Sequence, residues 1–362
     1  MRKVRVICLL LGVCTNIVQA QVLSDTTRAV WNGFAGGWMK SVPYNKSFWA
    51  ENTPSFTRVD FAHLSNHGEY DVQKGEKKMR TYTFVNFGVN IPVWGGILGS
   101  DEYGTYSLAA AIPLIVEVWL DMISHSSPVI NTSYRVSAPT FAFLHELNTR
   151  GRNRFLKNYS IQINPFRHES THIGDELTIF RMDNGLLLRR INVSYNFTEF
   201  VFTLNAPTTD REINHAFRFG FFAVHNFVSN KSYYMAFDGD IDPSIASLIG
   251  SAKGDYELYF QYQFQSKPVK HFQAIASAEI RNRARYNYPM QELSNGTWKL
   301  VNSDDTRNWC FNVFAGVRYS SLQDTYFSRL GIGLSAYYGI NPYGQFRNYD
   351  NFQQYGVSLI FE

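Results

Sequence analysis

The stretch Thr81-Tyr-Thr-Phe-Val-Asn-Phe-Gly-Val-Asn-Ile-Pro-Val93 decides the fold. Its odd positions read Thr, Thr, Val, Phe, Val, Ile and Val, while its even ones include Asn86, Gly88 and Asn90. A period of two puts one set on each face of an extended strand, and no helical stripe fits it. Working outward, comparable runs fall at about 56–62, 106–119, 133–143, 190–202, 216–228, 255–264, 269–281, 310–319, 330–338 and 355–361. With 159–182 taken as one broken strand, twelve strands are expected. Between them lie turn formers such as Gly95-Gly96, Asp183-Asn184-Gly185, Ser266-Lys267-Pro268 and Asn295-Gly296.

Composition narrows the class. Aromatic residues make up 16% of the 362 residues and charged ones only 18%, against about 25% charged in an average soluble domain. A helical membrane bundle is excluded, because each span needs ~20 apolar residues; the best run, Leu108 to Val116, contains Pro113 and stops at Glu117. Two all-β solutions remain, a soluble sandwich or barrel and an outer-membrane barrel. Many runs exceed the five or six residues usual in soluble strands and suit a tilted span of about 9–11. Aromatic residues also gather toward strand ends, as with Tyr103, Tyr106, Tyr337, Tyr338 and Tyr343, where interfacial girdles place them. The final alternation of Tyr355, Val357, Leu359 and Phe361 resembles the C-terminal assembly signal of outer-membrane barrels, although Glu362 follows the last aromatic.

The N-terminus reads as a secretory signal over 1–20. Arg2, Lys3 and Arg5 precede apolar Ile7 to Val13, and Val18-Gln19-Ala20 offers a cleavage site before Gln21. Subtracting those three from 34 Lys and Arg leaves 31 basic residues against 30 acidic, so the formal charge of +4 falls to +1. Nucleic-acid binding needs a clustered basic stripe, which this chain lacks. Cys8 and Cys14 lie in the signal, leaving Cys310 without a disulfide partner in the mature chain. The expected architecture is all-β: an antiparallel transmembrane β-barrel of about twelve strands over 78–362, in the outer membrane of a Gram-negative-type bacterium, with membrane lipids as its surroundings. Residues 21–77 form a periplasmic segment, a plug or the first strand.

The densest chemistry is His168-Glu169-Ser170-Thr171-His172-Ile173-Gly174-Asp175-Glu176. His168-Glu169-x-x-His172 satisfies the zinc pattern H-E-x-x-H, which needs a helix to bring both imidazoles to one face. Pro165, Gly174 and the strand-like lead-in from Tyr159 to Asn164 argue against that helix. As a strand, the segment sets His168 and Ser170 on one face about 6.8 Å apart at Cα, within reach of hydrogen bonding, so His168 can serve as base to a Ser170 nucleophile. A third group must orient the imidazole. If Asp183-Asn184-Gly185 is a three-residue hairpin loop, paired numbers sum to 368, and Glu176 faces Asn192, His172 faces Asn196 and Ser170 faces Thr198. Apolar Val193, Tyr195 and Phe197 then take the lipid side, and the His and Asn residues the polar wall. The same residues also suit a satisfied polar network without chemistry. Phe61-Ala62-His63-Leu64-Ser65-Asn66-His67 repeats the F-x-H-x-S-x-H order of Phe166 to His172, making His63 and Ser65 a rival nucleophile pair or a second polar cluster.

Together the two stretches resemble a bacterial family of unknown function, secreted and barrel-like, marked by H-x-S-x-H-x-G-D-E (His168 to Glu176), an R-x-N-x-S strand (Arg190 to Ser194) and G-x-x-P-x-G-Q-F (Gly339 to Phe346). A looser resemblance is to outer-membrane phospholipase A, a barrel hydrolase with an H-x-S-N-G motif and an Asn that orients the histidine. His168-Glu169-Ser170 matches its first three positions, and Thr171-His172 departs where that family has Asn-Gly, so its oxyanion and calcium arrangements do not carry over. His63-Leu64-Ser65-Asn66 matches four positions before His67 intervenes. The resemblance implies lipid or ester hydrolysis with Asn192, Asn196 or Glu176 orienting the base; the competing expectation is a non-catalytic barrel, whether pore, lipid-binding or structural. No cofactor is assigned.

Overall fold

The computed structural model describes residues 49–51, 56–65, 81–121, 129–148, 155–174, 191–206, 213–225, 233–237, 256–284, 290–292, 298–300, 307–320, 329–342 and 351–361. In chain order the strands are β1 (Thr57–Ser65), β2 (Thr81–Ser100), β3 (Gly104–Leu120), β4 (Val129–Ser137), β5 (Thr140–Leu147), β6 (Asn158–Ile173), β7 (Ile191–Leu204), β8 (Asn214–His225), β9 (Tyr233–Phe237), β10 (Tyr256–Gln265), β11 (Phe272–Ala284), β12 (Met290–Glu292), β13 (Trp298–Leu300), β14 (Arg307–Ser320), β15 (Arg329–Gly339) and β16 (Phe352–Phe361). β12 and β13 form a separate small hairpin, and the other fourteen share one sheet. β4 and β5 both pair with β3 and β6, and β8 and β9 both pair with β7, so each couple is one interrupted stave. That gives twelve antiparallel staves, as the alternation predicts, and β1 pairs with both β2 and β16 to close the barrel. Closure removes the sheet edges that an open sheet would leave unpaired.

The opening stretch behaves as its period requires. Phe87, Val89 and Ile91 are exposed on the outside, while Tyr82, Phe84 and Asn86 are buried inside. The same division runs around the barrel, with Phe200, Phe219, Phe260, Val313, Ile332, Leu334 and Val357 exposed outside. A closed twelve-stranded barrel with an apolar exterior is an outer-membrane β-barrel, its outer band taking the place of a core by contacting lipid. Connections at one end span 101–103, 148–157, 205–213, 266–271 and 321–328, and those at the other, including 66–80, 174–190, 238–255 and 285–306, are generally longer. Short turns mark the periplasmic end and long loops the outer one. Near the short-turn end an aromatic belt is built from Tyr106 stacked on His145 at 4.0 Å and from the tilted pairs Phe217 with Tyr262 at 5.1 Å and Phe272 with Tyr319 at 5.4 Å.

The lumen is filled. Arg281 binds Glu257 and Glu279 at 3.2 and 2.9 Å, Arg283 shares Glu257 at 3.3 Å, and Arg58 binds Asp60 at 2.8 Å. Such charges stay buried only because each has an opposite partner. Trp49, Ala50 and Glu51 also lie inside, just ahead of β1, which itself falls within the 21–77 segment.

One irregularity governs the site. The expected single strand over 133–143 is interrupted at Ala138-Pro139, and the β6–β7 register slips between Asn164 and Arg167, around Pro165. Proline cannot donate to the ladder and is confined to such bulges in a sheet interior. An extra residue reverses which alternate side chains point outward. Below the slip Ile161 and Ile163 are the exposed residues; above it Glu169 and Thr171 are buried.

Candidate site on the outer wall

Above the bulge, β6 turns His168, Ser170 and His172 outward and sends Arg167, Glu169 and Thr171 inward. The neighbours fix this sense: Tyr134 and Val136, opposite Ser170 and His168 on β4, are exposed, whereas Tyr195 and Phe197 on β7 are buried at 4% each. The expected assignment of faces is therefore reversed, because the bulge at Pro165 changes the parity and the interior accepts Tyr195 and Phe197 against Phe222. The expected register is corrected too. Paired numbers beyond the bulge are His168 with Asn196, Ser170 with Ser194 and His172 with Asn192. A sum of 364 replaces 368; both are even, so the expected grouping of His168, Ser170, His172 and Asn196 on one face survives while the individual partners move.

Two hydrogen-bonded pairs stand side by side. His168 Nδ1 lies 2.8 Å from Asn196 Oδ1, and Ser170 Oγ lies 3.0 Å from His172 Nε2. An amide oxygen only accepts, so the first contact requires the proton on Nδ1 and leaves Nε2 as the basic nitrogen of a neutral His168 ring. The second contact joins a hydroxyl, which both donates and accepts, to Nε2, so a His172 that carries its proton on Nδ1 would accept the Ser170 hydroxyl there. The imidazole touching Ser170 is thus His172, and the one oriented by asparagine is His168. The Tyr134 ring leans on His172 with centroids 5.3 Å apart.

The inner face holds the outer one in place. Arg135 pairs with Glu169 directly behind the cluster. Arg167 binds Glu199 at 2.7 Å and lies over the Phe197 ring at 5.4 Å, and Glu199 also accepts from Tyr259 at 2.8 Å and from Asn164. Below the site, Thr198 Oγ1 donates to Pro165 O at 2.9 Å, tying β7 to the bulge. Tyr134, Arg135 and Glu199 were not candidates from sequence; a pairing across β4, β6 and β7 has no local signature.

The remaining candidates separate. Asp175 and Glu176 lie outside the described residues. Asn192 is placed by its backbone opposite His172. His63 sits on the outer side of β1, opposite Tyr355 on β16 and Thr81 on β2, and Ser65 pairs with Gln353. β1 and β6 are separated around the wall by the staves of β2, β3 and β4–β5, so the two H-x-S stretches do not converge. As for zinc, the H-E-x-x-H stretch is a strand with Glu169 on the opposite side of the wall from His168 and His172, not a helix with a shared face. No group of three or more potential metal ligands occurs among the described residues.

No protein-family model and no curated protein matches the chain. Among solved structures it is similar to outer membrane phospholipase A from Escherichia coli, with 13% identity over 90% of this chain and 94% of that one and a TM-score of 0.41. The outer membrane phospholipase dimer of Salmonella typhi with bound calcium gives 12% identity over 90% and 95%, at a TM-score of 0.40. The translocator domain of the autotransporter NalP from Neisseria meningitidis gives 10% identity over 94% and 99%, at 0.37. The family resemblance read from the three motifs has no matching family model. What stands is the class, an outer-membrane β-barrel, with a polar cluster on its outer wall.

Proposed function

We propose that this barrel hydrolyses ester bonds of membrane lipids on its outer wall, with Ser170 as nucleophile and His172 as its base. The observation that carries the reading is the 3.0 Å contact between Ser170 Oγ and His172 Nε2 on a surface that elsewhere presents apolar side chains to lipid. Polar groups facing hydrocarbon are costly and cluster where they serve a function. β6 ends at Ile173, at the long-loop end, so the cluster lies at the outer-leaflet level, where an acyl ester of a lipid can reach it.

In the proposed reaction Ser170 Oγ attacks the acyl carbon while its proton passes to His172 Nε2. The tetrahedral intermediate collapses, its ester C–O bond breaks, and the leaving alkoxide takes the proton from His172. Water then attacks the acyl-serine with His172 again as base, releasing a fatty acid and restoring Ser170. His168, held by Asn196, supplies a second oriented imidazole beside the nucleophile.

The test is phospholipid hydrolysis by the detergent-solubilised protein, with Ser170→Ala, His172→Ala and Ser65→Ala assayed in parallel. Loss of activity in the first two, with Ser65→Ala unaffected, supports the assignment. Activity that is absent from the unaltered protein, or that survives Ser170→Ala, sinks it in favour of a non-catalytic barrel. A fall in Ser65→Ala alone would move the reaction to β1.

A further inference from the structure

The connection from β10 to β11 is a fixed turn that carries positive charge. Ser266 N–H donates to Ala274 O at 2.9 Å, Ala274 N–H to Ser266 Oγ at 2.9 Å and Gln273 Nε2 to Ser266 O at 2.7 Å. Val269 and Phe272 then exchange backbone hydrogen bonds at 2.8 and 3.0 Å, which leaves Lys270 and His271 as a two-residue turn. Between these rungs Lys267 and Pro268 stand opposite Gln273 alone, a bulge that suits a proline with no N–H to pair. Lys270 takes the first turn position with a φ of 56°. Hairpins fill such a position with Gly, Asn or Asp, so a lysine there is held against its backbone preference, and strain of this kind gathers where a residue serves a function.

What the turn presents is cationic and apolar together. Lys267, Val269 and Lys270 are exposed, and Val269, at 73%, is the most exposed large apolar side chain among the described residues. Neither lysine is ion-paired among the described residues, and Ser266 to His271 includes no acid. The turn lies just beyond the lipid-facing band. Phe272 and Tyr319 both face outward, Leu330 continues that surface opposite Tyr319, and the His271 ring packs on Tyr319 at 5.7 Å. Aromatic belts sit at headgroup level, so the residues next outward, Lys267 and Lys270, stand where lipid phosphates lie. The short-turn end faces the periplasm, which makes these the phosphates of the periplasmic leaflet.

We infer that the β10–β11 turn is a docking surface for anionic phospholipid of the periplasmic leaflet, its two ammonium groups donating to phosphate oxygens and Val269 lying among the acyl esters. Attraction to an anionic lipid adds to burial of the apolar side chain. A zwitterionic lipid brings its own ammonium group and gains less from the lysines. This is independent of the hydrolase reading, because the turn is at the opposite end of the barrel from Ser170.

The test offers the full mature chain, folded in detergent, equimolar phosphatidylglycerol and phosphatidylcholine, and native mass spectrometry reads the ratio of the two lipids retained. The unaltered protein is expected to favour phosphatidylglycerol, and the preference to shrink as salt is added. Lys267→Gln and Lys270→Gln are each expected to lower the ratio about fivefold, and the double variant to lower it further. Lys299→Gln, on β13 at the long-loop end, removes the same charge elsewhere and is expected to leave the ratio unchanged. Lys270→Gly relieves the φ and removes the charge together, so the unfolding midpoint should rise while the ratio falls as in Lys270→Gln; a turn that served structure alone would keep the ratio. Heat-modifiable gel migration identifies folded protein throughout. No preference in the unaltered protein, a ratio that survives the double variant or Lys270→Gly, or an equal fall in Lys299→Gln each overturns the inference.

Discussion

β6 and β15 are both barrel staves, yet they divide their side chains in opposite ways. β15 puts Leu330, Ile332 and Leu334 outside and Gly331 and Gly333 inside, so lipid meets hydrocarbon and the lumen gains room for Trp49. β6 above its bulge puts His168, Ser170 and His172 outside and Arg167, Glu169 and Thr171 inside. One stave follows the rule of a lipid-facing wall. The other carries polar groups on both faces, with ion pairs inside and an exposed polar cluster outside. A wall that only had to sit in the membrane would gain nothing from the second arrangement, and that difference directs attention to β6.

The comparison can be broken from the inside first. Glu169→Ala leaves the Arg135 guanidinium buried without the carboxylate it contacts, and truncating one partner of a buried pair costs about 3–5 kcal/mol. Denaturant unfolding in detergent should register it as the largest loss among the single changes considered. On the opposite stave, Leu334→Arg places a charge near the middle of the lipid-facing band, where about 2–4 kcal/mol is expected. If it costs nothing in a bilayer refolding titration, β15 does not face hydrocarbon. Gly331→Val pushes a side chain into the Trp49 ring, an overpacking expected to cost ~1–3 kcal/mol; a stability equal to the unaltered protein would mean the ring is not seated there. Ser170→Ala should change stability by less than ~0.5 kcal/mol, since the outer cluster carries little of the fold, while removing the proposed hydrolysis.

The smallest effect belongs to the turn between β2 and β3. Desolvation raises the Asp101 carboxyl, but donation from the Tyr103 N–H, the Tyr106 hydroxyl and the Gly104 N–H outweighs it and holds the carboxyl below its ordinary range. A lowered folded-state pKa stabilises the turn above the unfolded value, and that contribution is lost as pH falls through the folded one. Asp101→Asn should therefore lower stability slightly at neutral pH, where the ionised carboxyl contributes, flatten the acid limb of the profile, and change little once pH is below the folded-state pKa. An unaltered acid limb would show that these three donors do not distinguish the ionised carboxyl.

Much of the barrel was legible because its period is local. Thr81 to Val93 announces one lipid-facing set and one inward set, and repeating that reading along the chain gives twelve staves, most with ends within a few residues of those observed, while β2 runs on to Ser100, β6 stops at Ile173 short of the expected 182, and the stave begun by β8 resumes as β9 to Phe237. The candidate site was legible as a group, because residues 168, 170, 172 and 196 share a parity in any even register. Their surroundings were not legible. Pro139 and Pro165 could be seen as breakers, but whether each merely ends a strand or inserts a residue and continues it depends on the neighbouring staves. That choice alone decides whether His168 or Glu169 points out, and it went the other way from the expectation based on the apolar Tyr195 and Phe197. Asn196 was a named candidate, but its attachment to His168 rather than His172 followed from a register set by the whole wall.

By itself, then, the sequence determined an antiparallel barrel with an apolar exterior, since alternation is a property of neighbouring residues and survives any register. The tertiary structure alone decided which side of the wall bears the serine and histidines, and that Trp49 to Glu51 lie in the lumen. Both depend on residues tens to hundreds of positions apart meeting at one place, and a bulge of one residue is enough to exchange inside for outside.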